Sequence, residues 1–220
     1  MIDRVTNLTV GAGMIEHGLR RAQNLHWQPL VVTKSSRAHI KAQKPLVLWF
    51  TGLSRAGKST IANLVEQKLL ALGHHTYLLD GDNVRIGLNK DLGFTEADRV
   101  ENIRRVVEVA KLMVDAVLIT LVAFISPFRT ERRWAREVIG DGDFIEIFVD
   151  APLSTVEQRD VKGLYAKARR GEIKNFTGYD SPYEEPGDPD IILDTTSLSA
   201  DVLSDRVVEY LCSRRASVLR

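Results

Sequence analysis

The chain has 220 residues, of which 44% are hydrophobic and 27% charged, a composition that fits one globular core and excludes a disordered or fibrous chain. Lys plus Arg number 30 and Asp plus Glu 29, so a net charge of +1 supplies no general field for nucleic acid, and no nucleic-acid partner is expected. The single cysteine, Cys212, excludes an internal disulfide and a cysteine-rich zinc site.

The first residues, MIDRVTNLTVGAG, lack the apolar centre of a secretory signal. The longest apolar run, AVLITLVAFI, is about half the ~20 residues that a membrane-spanning helix needs. A cytoplasmic location without a membrane partner is expected. Residues 1–44 are polar, basic and weakly patterned; they read as an N-terminal extension or linker with a short helix near residues 15–24. From residue 45 to 220 the pattern is that of one domain. PLVLWFTG is an apolar run ending at Gly52 and predicts a buried strand. KSTIANLVEQKLLALG sets Ile61, Leu64, Val65, Leu69 and Leu72 at helical spacing and stops at Gly73. HTYLLDGD predicts a second strand. ADRVENIRRVVEVAKLMVDA predicts a long helix with Ile103, Val106, Val107, Ala110 and Val114 on its apolar face. LITLVAFIS and DFIEIFVDA predict further strands, PLSTVEQRD and LYAKARRG short helices, DIILDT a last strand and SADVLSDRVVEYLCSRR a closing helix. Strands alternating with helices predict an α/β fold of the P-loop NTPase type: a mostly parallel sheet with helices on both faces.

Gly52-Leu53-Ser54-Arg55-Ala56-Gly57-Lys58-Ser59, followed by Thr60, matches G-x-x-x-x-G-K-[ST] between a predicted strand and a predicted helix. The glycines let the backbone curl so that successive N–H groups point at phosphate oxygens, and the helix start adds positive charge. Lys58 would reach the β- and γ-phosphates of ATP, and Ser59 would offer a hydroxyl to Mg²⁺. A ligand-free glycine-rich turn would need none of the lysine, strand and helix in register. Arg55 is unusual here. If its position needs a positive φ, an arginine is strained there.

The loop alone does not separate a kinase from a nucleotide switch. The next segment, LLDGDNVRIGLNKDLGF, sets Asp80, Asp82, Asn83 and Arg85 beyond the second strand, at the sheet edge where ligands of parallel sheets bind. A carboxylate there can take a proton from an attacking hydroxyl or help hold Mg²⁺, and an arginine can grip an anionic acceptor. A turn that caps the next helix explains Asp80 alone.

The runs DGDNVR, GLN, DLGF, ENIRRV and EVAKLM, then AFISPFR, then KGLYAKAR, GEIKNFTG and DSPYE, closely resemble the adenylylsulfate kinase (APS kinase) family from Lys44 to about Thr195. The resemblance implies a P-loop kinase that passes the γ-phosphate of ATP to the 3′-hydroxyl of adenosine 5′-phosphosulfate (APS). It implies that Lys58 and Asp82 are catalytic, with Asp82 near the reacting hydroxyl and Mg²⁺. It also implies an acceptor site of Asp82, Asn83, Val84 and Arg85, then Phe94, then Arg99, Val100, Glu101 and Asn102, then Ile125 and Ser126, and finally Lys162, Asn175 and Phe176. Phe94 and Phe176 would take the two faces of the acceptor adenine, and the arginines its phosphosulfate. The family also suggests a phosphoserine at Ser126. Direct in-line attack needs no such intermediate, so Ser126 is expected to act as an acceptor-site residue. Each aromatic taken singly could be a core residue, and Arg99 or Arg104 a solvated helix charge.

The basic segment 159–183, with glycines at 163, 171 and 178, is expected to form a lid that excludes water. Arg55, Val107 and Val117 depart from the family, Val117 standing where a glycine ends the long helix. Competing readings are another small-molecule P-loop kinase, or a nucleotide-binding switch without catalysis. Residues 89–92, Asn-Lys-Asp-Leu, fail the guanine-reading Asn-Lys-x-Asp pattern. The N-terminal stretch, NLHWQPLVVTK included, resembles the joint between this kinase and a sulfate adenylyltransferase domain, so fusion to or association with that enzyme is an expectation, as is a homodimer.

Overall fold

The computed structural model describes residues 26, 28–161 and 163–218. The chain divides into two units, Met1–Val31 and Val32–Arg220, and every element named below belongs to the second. The helix expected near residues 15–24 lies outside the described residues.

Five strands form one sheet: β1 (Leu46–Thr51), β2 (Thr76–Asp80), β3 (Ile119–Ala123), β4 (Phe144–Asp150) and β5 (Ile191–Asp194). Their order is β2-β3-β1-β4-β5 and every pairing is parallel. β1 is central, and a central parallel strand must be covered on both faces. Its side chains alternate accordingly. Leu48 and Phe50 enter a core with Ile61, Val65 and Leu69 of α2 (Lys58–Ala71) and Leu203, Val207 and Leu211 of α8 (Ala200–Val218). Val47 and Trp49 enter a second core with Ile103, Val106, Val107, Ala110 and Val114 of α4 (Glu96–Asp115) and Ala135 of α5 (Arg129–Ile139). The result is the helix–sheet–helix sandwich that the alternating pattern predicts.

The register sets the site. Phe50 lies level with Ala123, and Ala123 with Asp80, so the ends of β1, β2 and β3 open at one edge of the sheet. The loops that carry the phosphate motif, Asp82 and Ser126 all start from that edge.

Three helices were not expected from sequence. α5, RTERRWAREVI, has few apolar residues, although those few recur at helical spacing, a signal that the sequence itself carries. Trp134, Ala135, Val138 and Ile139 share one face against the second core. Its arginines are used as well: Arg132 pairs with Glu146 at 2.7 Å and Arg136 with Asp190 at 2.6 Å. α3 (Gly81–Ile86) is a short helix directly after β2. α1 (Lys34–Lys41) lies in the stretch read as an extension, and the junction expected at residue 44 falls after it. Thr33 caps α1, Arg37 pairs with Asp115 at 2.6 Å, and Lys41 donates to the Ala116 carbonyl at 2.7 Å. Cations therefore meet the negative end of α4.

Val117 takes φ +59 and is fully buried. The helix exit is thus the left-handed turn expected there, with Leu118 N donating to Met113 O at 3.0 Å. A β-branched residue is strained in this region, and Gln43 helps hold it by donating to the Val117 carbonyl at 3.1 Å.

Candidate active site

The phosphate loop is built on one close approach. Gly52 has φ +144, and a Cβ there would lie 2.4 Å from the Val149 carbonyl oxygen, so no side chain fits. Gly57, at φ +107, ends the loop where α2 starts. Lys58 is 8% exposed and folds back over the loop. Its Nζ donates to Gly52 O at 3.0 Å and Leu53 O at 2.7 Å. Burial pushes the Lys58 ammonium down to about 8, against the pull of Asp80 and Asp82. An incoming phosphate would offer it far better partners than two carbonyls.

Ser59 Oγ donates to Asp80 Oδ2 at 2.6 Å. The other oxygen, Asp80 Oδ1, accepts from the amides of Asp82 at 3.0 Å and Asn83 at 3.3 Å. Asp80 is therefore a helix cap, as its turn suggested, but of α3, a helix that was not expected; it is also the partner of the loop serine. Ser59 and Asp82 are the expected Mg²⁺ ligands, and Asp80 stands between them. For Mg²⁺ the residues fit: a hydroxyl and the carboxylates of Asp80 and Asp82 line one cavity. Hard oxygen donors that leave most of the shell to phosphates and water are what this ion takes. Among the described residues there is no cluster of three or more His, Cys, Asp or Glu able to hold a metal.

Arg55 has φ +66, so the condition for strain at its position is met. Its Nε is buried with no hydrogen-bond partner, and the residue lines the cavity wall. Nearby, the Tyr165 hydroxyl donates to Ser54 O at 3.0 Å.

A cavity of about 650 Å³ runs from Ser54–Ile61 past Asp80, Gly81 and Asp82 to Arg85, Phe94, Arg99, Asn102, Ile125 and Ser126. The far end is organised by the start of α4. Thr95 and Asp98 form a reciprocal capping box that fixes the residues on either side of it. Arg99 is 8% exposed and donates Nε to Phe94 O at 3.1 Å and Nη2 to Asn175 O. Arg85 donates to Gly93 O at 2.9 Å and lies 4.6 Å from the Phe94 ring centre, with Arg99 at 5.9 Å. Burial lowers the pKa of both guanidinium groups. The Phe94 ring itself remains 58% exposed, an aromatic surface beside two cations.

Ser126 ends the β3 exit at φ +45 and is buried. Its hydroxyl accepts from Trp49 Nε1 at 3.1 Å, and Thr51 Oγ1 donates to Ile125 O at 2.7 Å. Asn102 is also buried, and its Oδ1 accepts from Asn89 Nδ2 at 2.9 Å.

Other expected acceptor residues lie outside the cavity wall. Phe176 packs edge-on against Tyr165, with ring centres 4.7 Å apart, and leans on the α2–α8 core. Asn175 meets the site through its carbonyl on Arg99. The Asn83 amide is used by the Asp80 cap, and Val84 packs on the second core. Val100 is exposed, and Glu101 pairs with Arg104 and Arg105, which hold its carboxyl down at about 2. Lys162 lies outside the described residues. In the expected lid, α7 (Leu164–Arg169), which follows α6 (Leu153–Gln158), is held by Asp160, which accepts from Tyr165 N at 2.6 Å. Arg159, a cavity residue that sequence did not single out, donates to Thr195 O at 2.6 Å and Thr195 Oγ1 at 2.9 Å.

Comparison with known proteins gives this geometry a family. The model of the adenylylsulphate kinase family matches residues 44–194. The chain is 62% identical over 188 residues to an adenylyl-sulfate kinase of Aeromonas hydrophila, covering 86% of this chain and 95% of that protein. It is 64% identical over 214 residues to the bifunctional enzyme NodQ of Rhizobium sp. (strain N33), covering 97% of this chain but 33% of NodQ. This chain thus spans about a third of the length of that relative. The structure of the Mycobacterium tuberculosis APS kinase CysC in complex with AMPPNP and APS superposes with a TM-score of 0.74 at 52% identity, covering 77% of this chain and 98% of that one. The chain belongs to the adenylylsulphate kinase family.

Proposed function

We propose that this chain transfers the γ-phosphoryl group of ATP to the 3′-hydroxyl of adenosine 5′-phosphosulfate, giving ADP and 3′-phosphoadenylyl sulfate, a step in sulfate activation. The observation that carries this reading is one continuous cavity with the phosphate loop at one end and Phe94, Arg85 and Arg99 at the other. A triphosphate at the loop and an anionic adenylate at the arginines would meet near Asp82. ATP and APS are also the ligand classes of the relative solved with AMPPNP and APS.

In this reading the loop amides and Lys58 bind the β- and γ-phosphates, and Lys58 exchanges its two carbonyl partners for phosphate oxygens. Arg85 and Arg99 hold the acceptor's phosphosulfate, and Phe94 stacks on its base. The acceptor 3′-oxygen bonds to the γ-phosphorus as the bond to the β–γ bridging oxygen breaks, and ADP leaves with that electron pair. The hydroxyl proton passes to Asp82 and then to solvent. Ser59 with Asp80 or Asp82 would hold Mg²⁺, which supplies charge neutralisation on the phosphates. The segment 159–183 closes over the site and keeps water from competing as acceptor. The stretch before α1 would connect the kinase to a sulfate adenylyltransferase, by fusion or by association, in keeping with the bifunctional relatives.

The test is ADP release from ATP with and without adenylyl sulfate, beside Lys58→Ala and Asp82→Ala. Adenylyl-sulfate-dependent release in the parent and its loss in both folded variants is the expected result. Release that needs no adenylyl sulfate, or prefers another acceptor, overturns the assignment.

A further inference from the structure

Glu131, in the first turn of α5, has no role in the reaction derived above, yet its position calls for one. It is 8% exposed, and neither carboxylate oxygen has a hydrogen-bond partner. A buried carboxylate without a donor is costly, and native proteins keep few of them. α5 packs on α4, and from α4 the charged groups that act on Glu131 are Arg99 and Glu96. From α5 itself comes Arg132, and from the segment after Tyr183 comes Glu184. Arg132 is already occupied, donating to Glu146 at 2.7 Å and to the carbonyls of Ser126 and Glu184. Arg99 is also bonded, but only to the carbonyls of Phe94 and Asn175, and it lines the acceptor end of the cavity.

We propose that Glu131 is a positioning residue for the acceptor anion: it balances the buried Arg99 charge in the free enzyme and takes up a proton when the acceptor's phosphosulfate replaces it as the counter-charge. This rests on the function proposed above. A lone carboxylate beside Arg99 is tolerable while Arg99 faces an empty cavity. A second anion at Arg99 repels it, and the cheapest relief is neutralisation in place. Burial already pushes the Glu131 carboxyl up to about 7, against Arg132 and Arg99, so little further push is needed near neutral pH. The acceptor cannot supply the titration itself. The phosphate and sulfate of a phosphosulfate each carry one strongly acidic group, both ionised throughout the range.

The sign follows from linkage: if binding takes up a proton, affinity falls as pH rises. Calorimetric titration of the full chain with adenylyl sulfate at pH 7, in two buffers of different ionisation enthalpy, reads the proton directly. The expected result is uptake of about 0.3–0.5 proton in the parent, because a carboxyl titrating at about 7 is already half protonated at this pH, with acceptor affinity falling about 3–10-fold between pH 6.5 and 8, the ceiling being tenfold per unit for one coupled proton. Glu131→Gln, which keeps the shape and lacks the titration, should show no uptake and a flat profile. Binding without proton uptake in the parent overturns the proposal with no variant needed. Equal uptake in Glu131→Gln overturns the assignment to this residue. Absence of any adenylyl sulfate binding is a different failure, that of the proposed function.

Discussion

The indole N–H of Trp49, on the central strand, donates to the hydroxyl of Ser126 at 3.1 Å, across 77 residues of sequence. Trp49 is fully buried and Ser126 almost so. Among the described residues no carboxylate or imidazole bonds that hydroxyl, so it has no base to activate it and one lone pair is already engaged. Ser126→Ala should therefore keep turnover within about tenfold of the parent. It should cost about 1–3 kcal/mol of stability, because a buried indole N–H loses its acceptor. Urea melts and steady-state rates check both parts. A loss of activity beyond about a thousandfold in a folded variant would instead favour a covalent serine.

Lys58 should make the ligand-free protein pH-sensitive. Its folded value, about 8, lies below the ordinary 10.5, so between those values the unfolded chain binds more protons. Stability should then rise with pH across that window, and the full penalty, roughly 3 kcal/mol, applies below pH 8. Lys58→Met removes the buried charge. Chemical denaturation should find the variant more stable than the parent at pH 7, with the gap closing by pH 10, while turnover is lost. A gap that stays constant with pH would mean the shift is absent.

The phosphate loop was legible because its chemistry is local: eight adjacent residues carry the turn, the lysine and the helix start. The strands of the sheet were legible for the same reason, and β1 reads as a plain apolar run because both its faces are buried. α5 was missed although its pattern is in the sequence: Trp134, Ala135, Val138 and Ile139 recur at helical spacing, but most of its residues are charged and draw the eye away from that face. Nothing in the sequence could pair Arg159 with Thr195 or Arg99 with the Asn175 carbonyl, contacts that span 36 and 76 residues. Phe176 carried a motif resemblance to a base-stacking residue, but its ring is held edge-on to Tyr165, a contact set by where α7 lies. Asp80 read as a helix cap only, yet it both caps α3 and receives Ser59, because a carboxylate has two oxygens to offer.

Arg55→Gly tests whether the loop keeps a strained residue for the sake of its charge. A left-handed conformation costs an L-residue about 1–2 kcal/mol, and the buried Nε without a partner adds to that. Glycine removes both terms and gives back about 0.5–1 kcal/mol through the freedom of the unfolded chain. The variant should thus be more stable by about 1 kcal/mol in urea or thermal melts. The amide cradle is unchanged, so kcat should hold within a factor of about two to three. Arg55 lines the same cavity as Lys58 and Ser59, so its loss should raise the KM for ATP by about 3–10-fold and leave that for adenylyl sulfate alone. A variant that is less stable than the parent would mean that Arg55 has partners in the folded state that outweigh its strain. A variant with both constants unchanged would make the arginine a tolerated burden rather than a contact.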